Sequence, residues 1–274
     1  MATLTSGPVE IHYEDTGGDG RPVVLIHGWP LSGASWSEQV PALTGAGYRV
    51  VTYDRRGFGQ SGKPGTDSSY DYDTLTGDLD ALMTELDLRD ASLVGFSMGG
   101  GEVARYVGTY GEDRVRSLVL AAAIPPNLLK DDDHPDGALT ADDVAGLQGQ
   151  LRADKDAFLD GFLTGFFSAG DDLKVTEAQR QDAVALGAQA EENAAADCIG
   201  SWVTDFTFDL AKVSVPLLVI HGDSDGIVPL EVSGQKAHAA VPGSELHIVE
   251  QGPHGINVSH VEEFNRVLLD FLAK

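Results

Sequence analysis

The sequence predicts an α/β fold: a mostly parallel sheet flanked by helices and interrupted by an inserted helical cap. Three observations predict it. Short continuous apolar runs such as Val23-Val24-Leu25-Ile26 recur, the pattern of strands buried on both faces. Segments of helical period alternate with them. The rhythm then fails between about Ile124 and Phe206, where helical stretches continue without buried strands. Core segments 1–123 and 206–274 and a cap at 124–205 follow from that break.

In chain order, Val9 to Tyr13 alternates like an edge strand, and Gly17-Gly18-Asp19-Gly20 turns the chain. Val23 to His27 is a buried strand, Trp36 to Leu43 a helix ending near Gly45 and Gly47, and Arg49 to Asp54 the next strand. Asp73 to Leu88 carries Leu75, Leu79, Leu82 and Leu86 at helical spacing. Ala91 to Val94 is a strand, a helix starts from Gly99, and Arg116 to Ala121 is a further strand. The cap opens with Pro125-Pro126 and an acidic run, and helices are expected over Asp154 to Phe167 and Glu177 to Ala190. Strand Pro216 to His221, helix Leu230 to Ala240, strand Glu245 to Val249 and helix Val261 to Leu272 complete the sheet domain.

Composition narrows the functional classes. The chain has 274 residues, 42% of them hydrophobic, enough to bury a substantial core. A formal net charge of −25 argues against nucleic acid and anionic membrane surfaces as partners. The lone Cys198 excludes an intramolecular disulfide and a cysteine-rich zinc site. No signal-peptide pattern and no membrane-length apolar run is visible, so a cytoplasmic protein is expected. Asp131-Asp132-Asp133-His134-Pro135-Asp136-Gly137 has a faint likeness to a calcium loop, but Pro135 interrupts it and the closing glutamate is missing. It reads as a solvated cap entrance. No metal and no cofactor is expected.

Gly95-Phe96-Ser97-Met98-Gly99 carries the chemistry. A serine between a strand and a helix, flanked by glycines, presents its hydroxyl on a strained turn. A hydroxyl needs a base and the base needs an orienting carboxylate; in such sheets these groups gather at the carboxyl ends of strands. His254, in Gly252-Pro253-His254-Gly255, follows the Glu245–Val249 strand and is the base. Asp225 and Asp223 both follow the Leu217–Ile220 strand; Asp225 is preferred, with Asp223 read as a turn residue. The oxyanion donors are expected to be the N–H groups of Met98 and Trp29, since Pro30 has none. His27 and His221 are read as loop-orienting or packing residues. Trp29, Phe162, Phe166 and Trp202 are candidate walls of a substrate pocket.

The segments His27-Gly28-Trp29-Pro30-Leu31-Ser32-Gly33, Asp54 to Ser61 and Gly95 to Tyr106 together resemble the α/β-hydrolase fold family. Within it they are similar to bacterial cofactor-free haloperoxidases and aryl esterases. The resemblance implies a Ser97–His254–Asp225 triad, a Trp29/Met98 oxyanion hole, ester hydrolysis through an acyl-enzyme, and peracid formation when hydrogen peroxide is the acceptor. The expected partners are a small-molecule ester or carboxylic acid and hydrogen peroxide, with a homo-oligomer left open. A lactone or carbon–carbon bond hydrolase with the same triad is the alternative, and a non-catalytic ligand sensor a more distant one. Gly226 departs from the arginine that many such relatives carry after the acid.

Overall fold

The computed structural model describes residues 2–274. Strands β1 (Ala2–Ser6) and β2 (Val9–Asp15) form an antiparallel hairpin that turns at Gly7, whose φ is +58°. Then come β3 (Pro22–Ile26), α1 (Val40–Gly45), β4 (Arg49–Tyr53), α2 (Tyr72–Glu85), β5 (Ala91–Phe96), α3 (Met98–Tyr110) and β6 (Val115–Ala121). The next interval holds α4 (Ala141–Ala153), α5 (Lys155–Phe166), a small hairpin of β7 (Ser168–Ala169) and β8 (Asp172–Leu173), α6 (Glu177–Ala188) and α7 (Glu192–Ser201). The chain closes with α8 (Thr207–Leu210), β9 (Leu217–Gly222), α9 (Gly234–Ala240), β10 (Glu245–Val249), α10 (Ile256–Ser259) and α11 (Val261–Leu272).

The main sheet has eight strands in the order β1-β2-β4-β3-β5-β6-β9-β10. From β4 to β10 neighbouring strands run parallel, while β1 and β2 pair antiparallel. Alternation along β3 shows why its apolar run is continuous. Val24 and Ile26 join one buried cluster with Leu79 and Leu93, whereas Val23 and Leu25 join another with Trp36 and Phe264. The sheet thus buries both faces.

Several local readings change. Val9 to Asp15 is not the edge: β1 pairs outside it, contributing Leu4 as its one buried apolar side chain. Trp36 to Leu43 divides into a 3₁₀ turn at Gly33–Trp36 and the short α1, with Pro41 in the first turn of α1. The expected helix from Leu230 begins only at Gly234. Between β6 and β9, Asp154 caps α5 by accepting from the Ala157 N–H at 3.0 Å, and Thr176 with Gln179 forms a capping box on α6. Leu151, Leu159 and Ile199 of this interval share a buried cluster with Trp29 and Tyr72. The acidic turn satisfies itself locally: Asp131 Oδ1 accepts from the backbone N–H groups of Asp133 and His134. Among the described residues no helix is long and apolar enough to cross a membrane.

Candidate active site

Ser97 joins β5 to α3 with φ 54° and ψ −119°, a left-handed region that costs a non-glycine residue about 1–3 kcal/mol. Its N–H donates to Ala121 O at 2.8 Å and its carbonyl accepts from the Gly100 N–H at 3.0 Å, which pins the turn. A Cβ at position 95 would stand 2.4 Å from Gly99 O, and one at 99 would stand 2.5 Å from Ile26 O. Both flanking glycines are therefore dictated by close backbone approach.

Ser97 Oγ lies 2.8 Å from His254 Nε2, and His254 Nδ1 lies 2.7 Å from Asp225 Oδ2. With Nδ1–H donating to the carboxylate, Nε2 is free to accept the seryl proton. The imidazole is wedged between Phe96, with ring centroids 5.3 Å apart, and Phe166, edge-on at 4.8 Å. Asp225 Oδ1 accepts from the N–H groups of Ile227 and Val228 at 2.9 and 2.8 Å. Burial alone would raise the Asp225 pKa. The charge of His254 and hydrogen bonds from His221 and His254 outweigh burial and hold the carboxyl well below its usual range.

The remaining strand-end residues take other places. Asp223 is exposed and accepts from the Ser224 hydroxyl at 2.9 Å. His221, fully buried, donates from Nε2 to Val228 O at 2.8 Å and faces Asp225 Oδ2 at 3.3 Å, buttressing the acid loop. His27 Nε2 accepts from the Arg55 N–H at 3.0 Å while Nδ1 donates to Gly28 O at 2.9 Å. Burial and the neighbouring Arg55 charge push His27 well below the ordinary histidine pKa, so it stays neutral.

A Cβ at Gly28 would meet Ser97 Cβ at 3.0 Å, so the loop leading to Trp29 runs against the serine. Among the described residues neither the Trp29 nor the Met98 N–H donates to a protein acceptor, and Met98 opens α3, where helix N-termini present unpaired donors. Both candidate oxyanion donors are thus unspent. Beside them opens a cavity of about 200 Å³ lined by Trp29, Ser97, Ile124, Leu128, Leu139, Leu147, Phe162, Trp202, Gly226, Ile227 and Val228. The Trp29 indole donates to Ala195 O at 3.0 Å and meets Phe162 and Trp202 edge-on at 4.9 and 5.1 Å. Phe166 is not among these walls: it backs the imidazole, 4.8 Å from His254 and one helical turn past Phe162.

A second buried network was not legible in the sequence. Glu102, on α3, accepts from Arg55 Nε at 2.8 Å, from Arg55 Nη2 and from the Tyr53 hydroxyl. Arg55 Nη2 also donates to His27 O at 2.8 Å. Burial favours the uncharged form of Arg55, but the Glu102 carboxylate opposes it and the guanidinium pKa is raised. A lone glutamate in an otherwise glycine-rich and apolar stretch, Gly99 to Ala104, is the only local hint of it.

An alcohol, an imidazole and a carboxylate in relay on a strained strand-to-helix turn define a serine hydrolase. The chain belongs to the alpha/beta hydrolase fold family, whose model matches residues 21–261. It is similar to a bromoperoxidase structure from Bacillus anthracis, at 50% identity and a TM-score of 0.95 with 100% of both chains covered. It is also 46% identical to a non-heme chloroperoxidase of Kitasatospora aureofaciens, covering 98% of each chain. A bifunctional esterase/perhydrolase of Acinetobacter calcoaceticus is 36% identical, again over 98% of each.

Proposed function

We propose that this enzyme hydrolyses esters of neutral, apolar carboxylic acids through an acyl-enzyme, and passes the same acyl group to hydrogen peroxide. The observation that carries the reading is the unbroken relay from Asp225 through His254 to Ser97, opening directly on an apolar cavity of about 200 Å³. Similarity to the Acinetobacter esterase/perhydrolase and to the non-heme chloroperoxidase supports both halves.

In acylation, His254 Nε2 takes the Ser97 proton as Oγ attacks the ester carbonyl. The oxyanion is held by the N–H groups of Trp29 and Met98, each worth about 3–4 kcal/mol at best. His254 returns the proton to the departing alkoxide, leaving acyl-Ser97. Water or hydrogen peroxide then adds to the acyl carbon as His254 takes its proton, and collapse releases a carboxylic acid or a peracid. The peracid transfers an oxygen to bromide or chloride in solution, giving hypohalous acid and the carboxylate, with no redox centre involved. Residues 124–205 act in this scheme as a cap over the core formed by 1–123 and 206–274. Cytoplasmic placement belongs to the same reading, supported by a single, buried cysteine.

Among the described residues no lysine or arginine lines the cavity. That speaks for a neutral acyl group over the charged substrates that a carbon–carbon bond hydrolase would have to seat. The test is a panel of acyl donors with water and peroxide as competing acceptors, run beside Ser97→Ala. Peroxide should divert acyl groups to peracid in proportion to its concentration, and Ser97→Ala should make neither product. Bromination by Ser97→Ala at the parental rate would overturn the acyl-enzyme route.

A further inference from the structure

The geometry points to the Tyr53–Arg55–Glu102 network as the device that sets the spacing of the two oxyanion donors, making these three residues positioning residues for acyl transfer. The inference rests on the Ser97 reading above. One donor, Met98 N–H, belongs to the first residue of α3; Glu102 lies one turn further along the same helix and is completely buried. The other donor, Trp29 N–H, belongs to the loop after β3. That loop is gripped at His27 by both ends of Arg55: Nη2 donates to His27 O at 2.8 Å, and the Arg55 backbone N–H donates to His27 Nε2 at 3.0 Å. His27 Nδ1 then donates to Gly28 O at 2.9 Å, which carries the restraint to the residue before Trp29.

Arg55 is thus the strut between the helix and the loop. Its Nε and Nη2 take Glu102 Oε1, and the same Nη2 is shared with the loop carbonyl. The Tyr53 hydroxyl occupies Glu102 Oε2 and fixes the carboxylate plane. Replacing a buried ion pair by apolar side chains of similar volume is often neutral or stabilising, so stability alone gives no reason for charges here. Position does. Donors must stand 2.7–3.1 Å from the developing oxyanion, and a displacement near 1 Å costs about 100-fold in rate. A guanidinium fork can hold carboxylate and carbonyl in one fixed geometry; an ammonium cannot.

The experiment compares Glu102→Gln, Arg55→Lys and Tyr53→Phe with the parent and with Ser97→Ala. It measures kcat, KM, inhibition by an alkyl boronic acid whose tetrahedral adduct mimics the oxyanion, and inhibition by an unreactive amide isostere of the ester. Glu102→Gln and Arg55→Lys should lower kcat about 10- to 100-fold and weaken the boronate by the same factor, leaving KM and amide affinity within about twofold. Tyr53→Phe, which removes one hydrogen bond only, should show the same pattern at about threefold. A merely structural role would lower the melting temperature without selectively weakening the boronate. Folded Glu102→Gln or Arg55→Lys protein with kcat within twofold of the parent, or with boronate affinity unchanged, overturns the inference. Should neither fold, Tyr53→Phe decides: parental kcat and boronate affinity overturn it. Activity surviving in Ser97→Ala would instead overturn the underlying reading, so the two failures are distinct.

Discussion

Replacing Asp225 with asparagine should cost about 10⁴ in kcat/KM, because the structure leaves the amide one orientation and that orientation inverts the imidazole. Asp225 Oδ1 accepts from two backbone N–H groups, of Ile227 and Val228, at 2.9 and 2.8 Å. An amide nitrogen cannot stand there, so the asparagine oxygen must take this position and its NH₂ must take that of Oδ2. There it faces His254 Nδ1 at 2.7 Å and His221 Nε2 at 3.3 Å. Since His221 Nε2–H is already directed at Val228 O, the amide meets a donor on that side. His254 can satisfy it only by accepting at Nδ1, which moves the ring proton to Nε2 and removes the acceptor that Ser97 needs. In a serine protease this wrong tautomer lowers kcat by about 10⁴, equivalent to about 5.4 kcal/mol at 1.36 per decade. Steady-state turnover of p-nitrophenyl acetate measures it. Asp223→Asn is the companion, expected within twofold of the parent because Asp223 is exposed and meets only the Ser224 hydroxyl. Asp225→Asn keeping more than a tenth of the parental kcat/KM would refute the reasoning.

Three further outcomes follow from the same geometry. Along a series of p-nitrophenyl alkanoates kcat/KM should rise about fourfold per methylene, from about 0.8 kcal/mol of burial each, until the cavity is full; Phe162→Ala should move the optimum to longer chains, whereas Phe166→Ala should lower kcat without moving it. Ser97→Gly and Ser97→Ala should both be inert, but the glycine variant should be more stable by about 1 kcal/mol in denaturant melts, since φ 54° strains alanine and not glycine. Because the folded Asp225 carboxyl titrates below its unfolded value, the stability it contributes is complete above about pH 4 and is lost as pH falls toward the folded value. Acid melts of Asp225→Asn should therefore be flatter below about pH 4 than those of the parent; equal slopes there would show that the carboxylate is not stabilised by its partners.

What was legible depended on whether a feature is local. The buried strands and the Ser97 turn are written in consecutive residues, as apolar runs bounded by glycine, so their places along the chain could be read directly. The strand β1 could not, because only Leu4 points inward and Ala2-Thr3-Leu4-Thr5-Ser6 carries no apolar period. Asp223 and Asp225 follow the same strand, and the sequence offers only a preference for Asp225; the loop's fold separates them by turning one into solvent and the other onto a histidine. Phe158, Phe162 and Phe166 recur every fourth residue and so share a helix face, but α5 passes across the site. Phe158 and Phe162 meet Trp29, while Phe166 meets His254. The Arg55–Glu102 pair joins residues 47 apart, beyond the reach of any local pattern.

The lining of the cavity also bears on why one site would serve two acceptors. Among the described residues the lining carries no charged, amide or imidazole side chain; besides the Ser97 hydroxyl its polar side-chain groups are the indoles of Trp29 and Trp202, and the Trp29 indole N–H is spent on Ala195 O. A pocket that offers no dedicated donor or acceptor cannot strongly reject a molecule that merely adds a hydroxyl, whereas one built to bind that group discriminates by 10⁴ or more. Hydrogen peroxide differs from water by one oxygen, and among the described residues the lining presents no charged side chain to read the difference. The proposed partition between acid and peracid is therefore governed by acceptor concentration and intrinsic nucleophilicity rather than by recognition. It follows that substitutions in the apolar wall should change acyl preference far more than they change the ratio of the two products.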